Sequence, residues 1–226
     1  MSERPVFKPT PKGDALVEIM DVEFTWFSGF SKSQKQKSIQ SLHEEATKAN
    51  NLKKILEIST KSEEKVGVSA SAFNIKIRLK NGLHASVESL YQGSKVFING
   101  GPFVDLYKKN SLDSKKDQRL QSSGNLKKFI FQNEEWGLDE QFYVWLYLNA
   151  LIQNKEIADK IIEYDAFTDI EFNPKKSFNC QAYAAALFKA AVLREIDLNK
   201  FKSPSKFKKS FPKETRLKVQ TDLFNM

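Results

Sequence analysis

The chain has 226 residues, of which 40% are hydrophobic and 18 are Phe, enough for a substantial core and too apolar for a disordered protein. The lone Cys180 excludes an internal disulfide, and no run of 18 apolar residues exists to span a membrane. Met1 to Pro9 lacks the apolar stretch of a secretory signal, so a cytoplasmic protein is expected.

In chain order, residues 1–13 read as an extended lead-in rich in Pro and Lys. Residues 17–27 alternate and carry aromatics, a strand pattern that Ser28-Gly29 ends. Residues 33–50 place Ile39, Leu42 and Ala46 on one helical side, and residues 52–58 extend or follow that helix. Residues 72–79 alternate as a second strand before the Asn81-Gly82 turn. Residues 86–98 read as a helix that stops at Gly100-Gly101-Pro102, and residues 108–124 as charged helix and loop. Residues 143–151 and 155–164 are helical. Residues 165–179 are polar and turn-rich, and residues 181–193 form an Ala-rich helix. The fold class expected is α+β and helix-dominated, one domain over 1–198 with a few short strands and a basic tail over 199–226.

Charge is uneven. Of the net +8, +6 falls between Lys200 and Met226, where Phe201, Phe207 and Phe211 interleave with lysines. Such a tail can hold single-stranded nucleic acid through phosphate contacts and stacking, or it can dock its phenylalanines on the domain.

Chemistry concentrates in three segments. At 100° per residue, Glu88, Gln92 and Lys95 fall within about 60° on one face of the 86–98 helix. Val87, Leu90, Tyr91 and Ile98 occupy the adjoining apolar face, so a carboxylate, an amide and an amine line the edge of a packing surface. A solvated charged face is the alternative. The second segment, residues 164–174, alternates acids with aromatics and leads to Ser177-Phe178-Asn179-Cys180-Gln181 at a helix start. Ser177 or Asn179 there is a cap or an anion contact, and Cys180 a small buried residue or a thiol activated by the helix N-terminus. The third, Phe24-Thr25-Trp26-Phe27-Ser28-Gly29-Phe30, offers aromatics to a nucleobase or to the core. No Gly-rich phosphate loop exists. His43 and His84 are the only histidines, His43 reads as a helix-surface residue, and no metal site is expected.

These segments, in this order, resemble the NADAR family. The matching motifs are Trp26-Phe27-Ser28-Gly29-Phe30 and the Glu88, Tyr91, Gln92 and Lys95 pattern within Val87 to Phe97. Lys35 to Ile39, Ser69 to Asn74, Gly100-Gly101-Pro102 and Phe167 to Pro174 are similar to the branch that accompanies DarT-type toxins. Two features depart from the family: Ser89 stands where a His is usual, and the C-terminal Trp-Gly motif is absent.

The resemblance implies an ADP-ribosyl glycohydrolase that cuts the N-glycosidic bond between ADP-ribose and guanine. The implied partners are single-stranded DNA modified by a DarT-type toxin, with ADP-ribose as product; no cofactor and no membrane are implied. It makes Glu88 and Lys95 the catalytic pair. Phe24 and Trp26 then face the base, Ser28 and Gly29 lie beside it, and Gln92, Asp105, Asp169, Asn173, Asn179 and Gln181 hold ADP-ribose. Two other readings stand beside this one: a non-enzymatic binder of toxin or nucleic acid, and a hydrolase of small N-glycosides.

Overall fold

Two alternating segments open the chain as a hairpin. Ser2–Pro9 (β1) pairs antiparallel with Val17–Phe24 (β2) in a register that runs from Ser2↔Phe24 to Pro9↔Val17. The coordinates are a computed structural model that describes residues 1–139, 141–174 and 180–210; Ser177, Phe178, Asn179 and Phe211, singled out above, lie outside that set.

Lys32–Asn50 (α1) starts at Ser31, whose hydroxyl accepts the Gln34 N–H, and ends at Asn51 in the left-handed conformation. Ile55–Glu57 (β3) and Lys65–Ala70 (α2) follow. Next come Lys76–Arg78 (β4), His84–Ser86 (β5), Val87–Gly93 (α3) and Lys95–Phe97 (β6). A 3₁₀ turn over Val104–Lys108 leads to Ser111–Lys115 (α4) and Arg119–Ser122 (α5). Leu126–Phe131 (β7) and Glu134–Trp136 (β8) precede Gln141–Gln153 (α6) and Lys155–Ile161 (α7). Ala166–Thr168 (β9), Gln181–Leu193 (α8), Asn199–Lys202 (α9) and Pro204–Ser210 (α10) complete the described chain. The class is α+β. Among the described residues no helix is long and apolar enough to cross a membrane.

The chain divides into two compact units. The first comprises Met1–Ser71 with Glu156–Leu198 and carries a sheet of order β2-β1-β9-β3. Its core gathers Val6, Val22, Phe24, Ile39, Leu42, Ile55 and Ile170. The second comprises Ala72–Lys155 with residues 199–210 and carries the β4-β5 pair and the sheet β6-β7-β8. Its core is aromatic, with Phe142 5.2 Å from Phe129 and 5.4 Å from Trp136, and Trp145 5.1 Å from Trp136.

Several expectations are corrected. The lead-in is a full strand, and an interior one, because β1 lies between β2 and β9. The aromatic strand ends at Phe24 rather than 27. Residues 52–58 contain β3 instead of helix. That strand runs parallel to β9 with all three residues buried, Glu57 among them, so it shows none of the alternation of a half-exposed strand. For the same reason β9 hides within the stretch read as turns. The strand expected over 72–79 shortens to Lys76–Arg78.

The correction with most bearing on function concerns the 86–98 helix, which stops after Gly93. A Cβ at Gly93 would lie 2.6 Å from the Tyr107 ring, so this turn admits only glycine, a poor helix former. The Ser94 hydroxyl donates back to Leu90 O at 2.7 Å, and the β-branched and aromatic residues that follow pair with β7 from Lys95↔Phe129 onward.

Candidate active site

In the second unit, α3 carries Glu88 and Gln92 and β6 opens with Lys95. Two backbone bonds seat the start of α3, Val87 N to Ile75 O at 3.1 Å and Glu88 N to Ala72 O at 2.9 Å. The hydroxyl of Ser86 caps it through Ser89 N. Glu88 is buried, and the Gln92 Nε2 donates to its Oε1 at 2.9 Å. Because a carboxylate only accepts, this bond fixes the amide orientation. The opposite atom, Gln92 Oε1, is buried with no hydrogen-bond partner among the described residues.

Lys95 extends over the Tyr91 ring, its Nζ 5.2 Å from the centroid. Tyr91 is itself held by Phe129 at 5.0 Å and Tyr143 at 5.4 Å. Burial pulls the Lys95 amine from 10.5 down to about 8; the Glu88 carboxylate opposes the shift and the Lys115 ammonium adds to it. Helix and strand together thus bring the acid and the amine into electrostatic reach. Asp105 differs: it is exposed and forms a two-pronged ion pair with Arg119, at 2.7 and 3.2 Å.

A buried hydroxyl network lies beside this group. Ser86 donates to Ser89 at 2.9 Å, Ser111 to Ser86 at 2.7 Å, Ser114 to Ser89 at 3.1 Å, and Ser89 to Lys109 O at 3.0 Å. Ser89 is fully buried and occupied by these bonds.

The remaining candidates belong to the first unit. Phe24 is 1% exposed and sits in the core, with its ring edge-on to Trp26 at 6.1 Å. The Trp26 indole is half-buried, with Lys35 Nζ 4.5 Å and Arg4 Cζ 5.4 Å from its centroid. Ser28 and Gly29 are exposed and Asn173 is half-buried. Asp169 is buried next to Glu57. Burial, then the Glu57 charge, raises its carboxyl well above the usual range, while a hydrogen bond from the Gln181 side chain opposes that rise. Burial also raises Glu57 and Cys180, so the activated-thiol reading of Cys180 gives way to that of a small buried residue.

His43 is no plain helix-surface residue. Its Nε2 lies 2.8 Å from Thr168 Oγ1, which donates to Glu57 Oε2 at 2.7 Å, and burial lowers its pKa to about 4. Since the threonine proton is used on Glu57, the imidazole carries its own proton on Nε2. Sequence reading missed Lys115, Glu57 and the cations over Trp26. The one available signal was the i, i+4, i+8 spacing of Lys35, Ile39 and His43 on α1.

The family model for DarT1-associated NADAR antitoxins matches residues 2–221. Among curated proteins none matches the chain. With nearly its whole length matched, the chain belongs to the family of DarT1-associated NADAR antitoxins.

Proposed function

We propose that this antitoxin removes ADP-ribose from guanine bases in DNA by hydrolysing the N-glycosidic bond, reversing the modification made by its DarT-type toxin. The observation that supports this reading best is a buried carboxylate, Glu88, within electrostatic reach of an amine whose pKa is about 8. At pH 7 roughly a tenth of such lysines are neutral, several hundred times more than for an ordinary lysine.

In the proposed reaction the bond from C1″ to guanine stretches, and positive charge spreads over C1″ and O4″. The Glu88 carboxylate stabilises that charge. The neutral Lys95 amine forms a bond to C1″, and guanine leaves with the electron pair of the broken bond. One amine proton passes to the departing guanine by way of Glu88. The other moves to O4″ as the ribose ring opens to an imine on Lys95. Water then adds to the imine carbon, the amine is released, and ADP-ribose departs. Gln92 holds Glu88 toward this work.

The test uses a guanine-ADP-ribosylated single-stranded oligonucleotide and substoichiometric protein. Wild type should release unmodified DNA and ADP-ribose over many turnovers. Lys95→Ala and Glu88→Gln should each lose about 10²–10⁴-fold or more in kcat. Borohydride added during turnover should fix ADP-ribose covalently to Lys95. Protection of the DNA only mole for mole would overturn the reading in favour of a binder.

A further inference from the structure

A cavity of about 700 Å³ opens within the first unit, lined by residues that the proposed reaction does not use. Its size falls in the range of small-molecule sites, roughly 300–1,000 Å³. One wall is the side of α1 that carries Ile39, His43 and Thr47 at i, i+4 and i+8, and the buried Ile39 and Ile55 give it apolar surface. The Nε2–H of His43 is engaged with Thr168, whose hydroxyl donates to Glu57, and Glu57 also accepts the Ile170 N–H at 2.9 Å. That line of bonds is complete. The second ring nitrogen of His43, Nδ1, is therefore a bare acceptor, with no hydrogen-bond partner among the described residues.

The charges around it name the ligand's chemistry. Glu44, Glu63 and Glu64 line the cavity, and none of them forms an ion pair among the described residues. Glu44 accepts from the Gln40 amide at 3.0 Å, and Glu64 from the Tyr164 hydroxyl. Two of the lysines on the rim pair with acids outside the cavity, Lys48 with Glu45 at 2.8 Å and Lys54 with Glu163 at 3.9 Å. Lys53 alone then faces three carboxylates and an imidazole that can only accept. Burial, then the Glu64 carboxylate, holds the Tyr164 phenol above its usual pKa, in keeping with a negative field. An anion would meet those carboxylates, and among the described residues no group of three His, Cys, Asp or Glu could hold a metal ion. Unmatched acceptors and carboxylates around isoleucine side chains suit a ligand that alternates ammonium groups with methylenes.

We propose that this cavity binds an aliphatic polyamine, with its ammonium groups on Glu44, Glu63 and Glu64, its methylenes against Ile39 and Ile55, and one amine N–H donating to His43 Nδ1. None of these groups takes part in the proposed bond cleavage. Polyamine binding and turnover are therefore scored separately, and either can fail without the other.

The probe is spermidine, titrated into the full chain by calorimetry and followed in parallel by the ring-nitrogen resonances of the two histidines. Spermidine should shift the His43 resonances and leave those of His84 in place. Glu44→Gln with Glu63→Gln should weaken binding about tenfold or more at an unchanged ligand-free Tm, since each change removes a charge-assisted contact. Thr47→Arg, which adds a cation to the wall, should abolish binding. Glu18→Gln with Glu23→Gln, two exposed acids of β2, should leave it unchanged. An equal loss in that control pair would reduce the effect to non-specific attraction and overturn the site, as would wild-type affinity in the Glu44 and Glu63 variant or an unmoved His43 signal. Binding of inorganic phosphate instead, lost in Lys53→Gln, would overturn the cation assignment. So would failure of spermidine to bind wild type while Thr47→Arg loses affinity for purified toxin, which would give the cavity to a basic side chain of that partner.

Discussion

Lys95 is the residue at which stability and chemistry pull in opposite directions. Its folded-state pKa, about 8, lies below the unfolded value near 10.5. Between those two pH values the unfolded chain holds the extra proton, so stability rises with pH across that window. Below pH 8 the full destabilisation is present, about 3 kcal/mol. Lys95→Met should therefore raise Tm by several degrees at pH 7, and the gain should vanish near pH 10.5; thermal melts across that range check it. Activity should also climb with pH, with kcat/KM rising as Lys95 deprotonates and levelling above about 8. Lys115 supplies part of the shift by like charge, so Lys115→Gln should move that rise to higher pH, read from the same profile. A profile that instead falls as pH rises through about 8 would assign Lys95 a proton-donor role, because a donor loses activity as it deprotonates.

At the scale of elements, the site depends on where a helix stops. The spacing of Glu88, Gln92 and Lys95 is legible in the sequence, but helical geometry is not what unites them. The steric demand of Tyr107 at Gly93 and the pairing of β6 with β7 decide that boundary, and neither is a local property. Helices α1, α6 and α8 are readable because each has its own apolar pattern, with α1 marked at its start by Ser31. Strands β3 and β9 are not, since three buried residues in parallel pairing carry no period. The buried serines were illegible for another reason: a serine in sequence looks like surface, and only the fold reveals Ser86, Ser89, Ser111 and Ser114 bonded to one another. Ser89→Ala leaves the Lys109 carbonyl and the Ser86 hydroxyl each short of a partner. A loss of about 1–3 kcal/mol is expected, measured by urea denaturation. Gly101→Ala should be worse for the site. Its φ is +91° and its new Cβ would fall 2.2 Å from the Lys95 carbonyl oxygen, so β6 must shift and kcat should fall together with stability.

At the scale of the molecule, the basic C-terminal segment joins the fold at least as far as residue 210. Of the two readings open for its phenylalanines, docking holds for Phe201 and Phe207, both buried within the second unit. Phe207 lies 6.3 Å from Trp136 and meets the Phe201 ring edge-on at 5.8 Å. The Phe201 carbonyl accepts from Asn149 Nδ2 at 3.1 Å, and Lys208 donates to Glu135 O at 2.6 Å while sitting 4.3 Å over the Trp136 ring. The charge is thus real, but Lys200, Lys202, Lys206, Lys208 and Lys209 ride on helices whose Phe201 and Phe207 close a core. A chain ended after Leu198 would uncover Trp136 and leave the Asn149 amide with Trp145 O as acceptor but without Phe201 O. Such a truncation does not separate a nucleic-acid tail from a catalytic domain; it removes part of the unit that holds Glu88 and Lys95. Phe207→Ala is the cleaner change, with an expected loss of about 3–5 kcal/mol. If the segment serves only as packing, Lys202→Gln with Lys206→Gln leaves DNA affinity unchanged while Phe207→Ala lowers Tm by roughly 10 °C. If it also holds the strand, the lysine changes lower affinity at constant Tm, so thermal melts and anisotropy on the same variants decide between the two.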